Sequence, residues 1–164
     1  AAFTPGQIGR ARLHAPDEAQ GLVPGRLLRK YHVIFDYPAK TFTMARPGTI
    51  SPKGERLPAP IGRTGFPRME LTIGGETQGF LLDTGATCTM ISRAVLDRWA
   101  AAQPSWPKAI GATGMANMFG GKMEAEALML RIPEATLGSL RIEHAAAVSR
   151  PIGTFEKFMS SLMT

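Results

Sequence analysis

Cysteine is nearly absent. Cys88 stands alone in 164 residues, which excludes an internal disulfide and with it a stapled secreted mini-protein. No run approaches the ~20 consecutive apolar residues that a membrane-spanning helix needs. The opening Ala1-Ala2-Phe3-Thr4-Pro5-Gly6 lacks the charged-then-apolar order of a secretory leader. None of this assigns a compartment, and a periplasmic or secreted address stays open should the gene encode a leader upstream. His14, His32 and His144 are far apart and share no ligand spacing, so no metal is expected. Gly120-Gly121 is not followed by Gly-Lys-Ser/Thr, so it reads as a turn and not as a phosphate cradle.

Acidic residues are scarce in the first part of the chain. Residues 1–68 carry eleven Lys/Arg against Asp17, Glu18, Asp36 and Glu55, whereas from Glu70 onward eight basic residues face nine acidic ones. The net charge of +6 is therefore unevenly placed. The basic residues are scattered and not interleaved with aromatics, which favours a solvated surface over a nucleic-acid or lipid-binding face. Neither nucleic acid nor membrane is expected as a partner.

What the chain does have is 44% apolar residues, 18 Gly and 13 Pro, a composition suited to short strands joined by turns. Ala1 to Gln20 reads as loop. Arg26 to Lys30 predicts a short helical turn, and Tyr31–Tyr37 with Lys40–Met44 predicts two strands around Pro38-Ala39. Residues 45–65 hold Pro47, Gly48, Pro52, Gly54, Pro58, Pro60, Gly62 and Gly65, which forbid a continuous helix or a central strand and mark a linker. Met69, Leu71 and Ile73 then alternate with polar residues as a half-buried strand, and Gly74-Gly75 suits a two-residue hairpin turn. The continuous run Phe80-Leu81-Leu82 predicts a return strand buried on both faces.

Ser92 is placed to cap a helix through Ala102, with Val95, Leu96, Trp99 and Ala100 inward. Ala109 to Lys122 is glycine-rich. Leu128, Leu130 and Ile132 alternate as a strand, as do Leu140 and Ile142 after a turn at Gly138. Phe155, Phe158, Met159 and Leu162 carry the spacing of an amphipathic helix.

The chemistry-bearing segment is Phe80-Leu81-Leu82-Asp83-Thr84-Gly85-Ala86-Thr87. A buried strand delivers Asp83 to a turn, Gly85 lets the backbone fold beneath the carboxylate and offer it N–H groups, and the hydroxyls of Thr84 and Thr87 can tie the turn to a neighbour. Asp36 ends a strand before Pro38 and lacks a following Thr-Gly, so it reads as structural. Cys88 reads as a small core residue, with no His beside it to make it a nucleophile.

Gln78 to Ser92 resembles the catalytic segment of retropepsin-like aspartic proteases, in which two apolar residues precede Asp-Thr-Gly-Ala and an apolar-Ile/Val-Ser follows. The pattern extends over Phe66 to Val148. The resemblance implies a mainly β, pepsin-lobe closed barrel with one or two short helices. It makes Asp83 the catalytic aspartate and Thr84, Gly85, Ala86 and Thr87 the support of the active-site turn, with Thr84 bonding across two lobes. The stretch Gly111 to Gly121 stands where the family has its flap, with Met115, Met118 and Phe119 as the residues to touch substrate or fill a core. Gly21 to Tyr31, followed by Val33-Ile34-Phe35-Asp36-Tyr37, resembles the end of such a lobe, with Pro24 in place of the usual Gly. Residues 1–44 are then the end of a first lobe, 45–65 a linker, and 66–164 a second, truncated lobe. Alternatively, 21–44 folds back to complete the lobe that carries Asp83.

The resemblance implies an aspartic endopeptidase without cofactor or metal. Paired aspartates activate a water against a peptide or protein substrate, and the second aspartate comes from another lobe or from a homodimer partner. The competing reading is a non-catalytic module of the same fold that grips an extended peptide by strand addition.

Overall fold

The computed structural model describes Val23 and residues 25–61, 65–117, 120–150 and 153–163. The chain divides into two units, residues 1–56 and 57–164. It is mainly β, with eight strands and three helices among the described residues. The expected loop over Ala1 to Gln20 lies outside them, as do Gly21, Leu22 and Pro24.

In the first unit a single helical turn, α1 (Gly25–Leu28), precedes the antiparallel hairpin β1 (His32–Asp36) and β2 (Thr41–Ala45). The pairs Val33↔Met44 and Phe35↔Phe42 put four apolar side chains on one face, with the Phe35 and Phe42 rings 5.2 Å apart. Asp36 turns the corner: its Oδ1 accepts the N–H of Ala39 at 2.9 Å, the kind of local bond that makes Asp a turn residue. Its structural reading fits this geometry.

The second unit begins with β3 (Arg68–Ile73) and β4 (Glu76–Leu81), paired Ile73↔Glu76 across Gly74-Gly75. Both glycines have positive φ, 58° and 86°, as a two-residue type I′ turn requires. Gly74 has a second constraint, since a Cβ there would lie 3.2 Å from the Trp106 ring. Then follow β5 (Thr89–Ile91), α2 (Arg93–Ala102), β6 (Lys108–Asn117), β7 (Gly120–Leu137), β8 (Leu140–Ser149) and α3 (Thr154–Met163). The sheet order is β4-β3-β7-β8-β5, with β6 also on β7; β5 runs parallel to β8 and the other pairs are antiparallel. No pairing among the described residues joins β4 to β5.

α2 forms where the sequence places it. Ser92 Oγ accepts the N–H of Val95, and Leu96, Trp99 and Ala100 are buried against Leu128, Leu130 and Ile132 of β7. Glu76 pins this helix to the first hairpin by accepting bonds from Arg98 (2.7 Å) and from the buried Trp99 indole (3.1 Å).

Three readings of burial are corrected. β4 pairs only with β3 among the described residues and is half-buried, and Leu82 is 46% exposed. Its apolar run therefore belongs to an edge strand leading out of the core, not to a strand covered on both faces. Leu140 is also exposed, at the turn end of the β7–β8 hairpin opposite the buried Leu137; farther along the hairpin the inward phase slips, since Ile132 is buried but so is Ala135, and Ile142 is half-buried whereas Ala147 is fully buried. At the slip, between the pairs Ile132↔Ala145 and Glu134↔Glu143, lie Pro133, which has no N–H to donate, and His144, whose φ is +55°. Finally, Cys88 is exposed, not a core residue.

Candidate active site

The turn that follows β4 is built by three backbone contacts. The N–H of Leu82 reaches the carbonyl of Pro67 at 2.9 Å, extending the β3–β4 ladder to the residue before Asp83. The N–H of Gly85 donates to Asp83 Oδ1 at 2.9 Å, and the N–H of Ala86 donates to the Asp83 carbonyl at 3.2 Å. Glycine at 85 is a matter of space: a Cβ there would sit 3.3 Å from Asp83 Oδ1, inside the ordinary contact distance. The carboxylate is therefore held from beneath by a backbone donor.

The far side of the turn is anchored just as firmly. β5 lies parallel to β8 with Thr89↔Ala147 and Ile91↔Ser149, Ile91 is buried in the core, and Arg150 N–H donates to its carbonyl at 2.8 Å. Arg150 is in turn ion-paired with Glu156 of α3 in a half-buried position. A rigid strand thus enters the turn and a rigid strand leaves it, while residues 82–89 between them are all exposed. Thr84 and Thr87 have no hydrogen-bond partner among the described residues, so both hydroxyls are free toward solvent.

Of the remaining residues singled out from sequence, Met115 lies on β6 opposite Lys122 of β7. Gly111 to Asn117 and Gly120 to Ala127 form a long hairpin, interrupted by a register shift between Gly111 and Thr113. Met118 and Phe119 lie outside the described residues. No group of three His, Cys, Asp or Glu side chains among the described residues could hold a metal ion. Two clamps escape sequence reasoning altogether, Glu76 with Arg98 and Trp99, and Arg150 with Glu156. Their partners are separated by 22, 23 and 6 residues, and no local spacing rule links them.

Residues 69–157 match the model of a family described as aspartyl protease, more than half of the chain, with the Asp83 turn inside the matched stretch. The chain belongs to this aspartyl protease family. The retropepsin-like membership expected from Gln78 to Ser92 holds at that level. Among solved structures, a retropepsin-like aspartic protease from Rickettsia conorii is similar at a TM-score of 0.42 and 13% identity, over 60% of this chain and 68% of that one. No curated protein matches. No helix among the described residues is long and apolar enough to cross a membrane.

Proposed function

We propose that the chain is part of an aspartic endopeptidase in which Asp83 is one of the two catalytic carboxylates. The observation that carries this reading is the Gly85 N–H bond to Asp83 Oδ1 in an exposed turn between two anchored strands. A carboxylate so placed is oriented without being covered, as a group that must meet both water and substrate requires.

In this mechanism two carboxylates share one proton and hold a water between them. The ionised one takes a proton as the water oxygen attacks the scissile carbonyl, and the protonated one gives its proton to the carbonyl oxygen. Like charges at such a distance do not both ionise, so the two titrate as a pair, the behaviour for which aspartic proteases are the standard example. The chain contains one Asp-Thr-Gly, and the second carboxylate is assigned to another lobe or to a second copy. On the same reading residues 1–44 end a first lobe, 45–65 join the lobes, and 66–164 form a second. Thr84 and Thr87 carry the free hydroxyls that would tie this turn to its counterpart, and the β6–β7 hairpin with Met115 is the flap.

The test is Asp83→Asn in the full-length protein, assayed on an unstructured peptide at mildly acidic pH with and without a pepstatin-type inhibitor. The amide keeps the shape of the turn and removes the acid–base group. We expect loss of pepstatin-sensitive cleavage with an unchanged circular dichroism spectrum. Wild-type cleavage by the variant would end this reading.

A further inference from the structure

We infer that the free edge of β6, beside α2, binds an extended polypeptide by strand addition, and that it selects an acidic and an apolar residue two positions apart.

The first observation is an uncovered strip on the helix-bearing face of the sheet. Lys108 and Ile110 lie opposite Leu130 and Leu128, so all four side chains point to the same face. α2 covers the β7 half of that face, where Leu128 and Leu130 are buried, and stops short of β6, where Ile110 is 66% exposed. Between helix and strand lies a groove of about 450 Å³, walled by Arg93, Asp97 and Ala100 on one side and by Lys108 to Ile110 on the other, with Leu128 as its floor.

The second observation is the direction of the backbone. Arg131 N–H donates to the Pro107 carbonyl at 2.9 Å, which makes that opposed pair a hydrogen-bonded one. Alternation along an antiparallel ladder then makes Lys108 and Ile110 non-bonded positions toward β7, so their N–H and C=O groups point away from it. Leu128, opposite Ile110, agrees: its N–H goes to Ser149 Oγ at 2.9 Å and not to β6. β6 pairs only with β7 among the described residues. Its outer edge therefore presents two donors and two acceptors one strand repeat apart, next to an apolar groove. Exposed edges are normally blunted by charge, proline or a covering element, and Lys108 is the sole charged residue along this ten-residue strand.

The occupant follows from charge. Arg93 is spent within the protein, its Nε on both carboxylate oxygens of Asp97 (2.9 and 3.1 Å) and its NH1 on the Glu126 carbonyl. Lys108 has no ion-pair partner among the described residues. A strand laid along this edge places one side chain against Lys108 and another, two residues away, against Ile110. An acidic side chain satisfies the first and an aliphatic one the second. The register shift after Gly111 ends the regular edge and limits the dock to a few residues. Binding here does not use Asp83, so it is read separately from cleavage.

The test is fluorescence anisotropy at low salt with a labelled eight-residue peptide, Glu-Thr-Val-Thr repeated twice, against the same peptide with Lys for Glu. We expect the acidic peptide to bind about tenfold more tightly than the basic one, and Lys108→Glu to reverse that order. Ile110→Ala should weaken binding about fivefold, and Ile110→Pro, which also removes the outward N–H but no β6–β7 bond, should reduce it at least about tenfold further. Circular dichroism checks that each variant folds; should Ile110→Pro not fold, the Lys108→Glu reversal decides alone. Equal binding of the two peptides, or no reversal with Lys108→Glu, would overturn the inference. A dimer of the unliganded protein that Lys108→Glu or Ile110→Ala dissociates would assign the edge to a second copy of the chain and overturn it as well.

Discussion

Gly85 occupies a position where two requirements meet. Its N–H must reach Asp83 Oδ1, and nothing larger than hydrogen fits between its Cα and that oxygen without moving it, since a Cβ would stand 3.3 Å away. Alanine at this position should therefore cost little in stability, because nothing else lies within 4 Å of the added carbon and the φ is an ordinary one. It should cost activity, because the carboxylate must shift by a few tenths of an ångström. We expect Gly85→Ala to leave Tm within a few degrees of wild type and lower kcat about tenfold or more, with KM nearly unchanged. Parallel melting and steady-state kinetics check this, and an unaltered kcat would show that the Gly85 contact does not position Asp83 for chemistry. Much of this was legible from residues 80–87 alone, since Asp-Thr-Gly after an apolar run specifies a turn with a donor beneath its acid. The exposure of Leu82 and Cys88 was not, because hydrophobicity ranks a residue's preference for burial and does not supply the neighbour that would bury it.

Secondary-structure elements were most readable where one residue decides the geometry. Gly74-Gly75 fixes the first hairpin through two positive φ angles, and Ser92 fixes the start of α2 through one hydroxyl. What joins these elements was hidden, because it depends on side chains that meet only after folding. The Glu76 carboxylate is the clearest case. Its hydrogen bonds with Arg98 and then with Trp99 lower its pKa from the usual 4.5, with the Arg98 charge adding to the effect, while the guanidinium of Arg98 is raised in return. A carboxyl whose folded pKa is depressed contributes stability that is fully present above its unfolded pKa and is lost as the pH falls through the lowered value. Glu76→Gln should thus lower Tm at neutral pH, and the gap to wild type should close progressively below pH 4.5. Thermal melts of both proteins from pH 7 to the acid limit of folding test this. A gap that is independent of pH would mean that Glu76 acts through shape and not through charge.

For the molecule as a whole, the decisive count is of carboxylates in the right setting. One Asp-Thr-Gly occurs in 164 residues, and its turn is exposed from Leu82 to Thr89. On the proposed mechanism an ionised carboxylate accepts a proton but has none to donate, so half of the acid–base cycle is assigned to a second carboxylate. A preparation of these residues that is monomeric by light scattering should not cleave peptides, whereas one that associates, or that is supplied with a second lobe, should. Robust pepstatin-sensitive cleavage by the monomer would overturn the paired mechanism. Cleavage that rises with the square of protein concentration at low occupancy would point to a symmetric pair of copies.

The parallel pairing of β5 with β8 also sets when the far side of the turn is anchored. Thr89 meets Ala147, and Ile91 meets Ser149, only after the whole β6–β7–β8 meander has been laid down between them. Contacts so distant along the chain form late, because the loop they close must first be organised. On a ribosome adding residues one at a time, Asp83 emerges early but its exit strand has no partner until β8 follows some sixty residues behind, several seconds later at about 5–20 residues per second. The nascent chain therefore carries the local bonds of the Asp83 turn well before the strand that leaves it is paired.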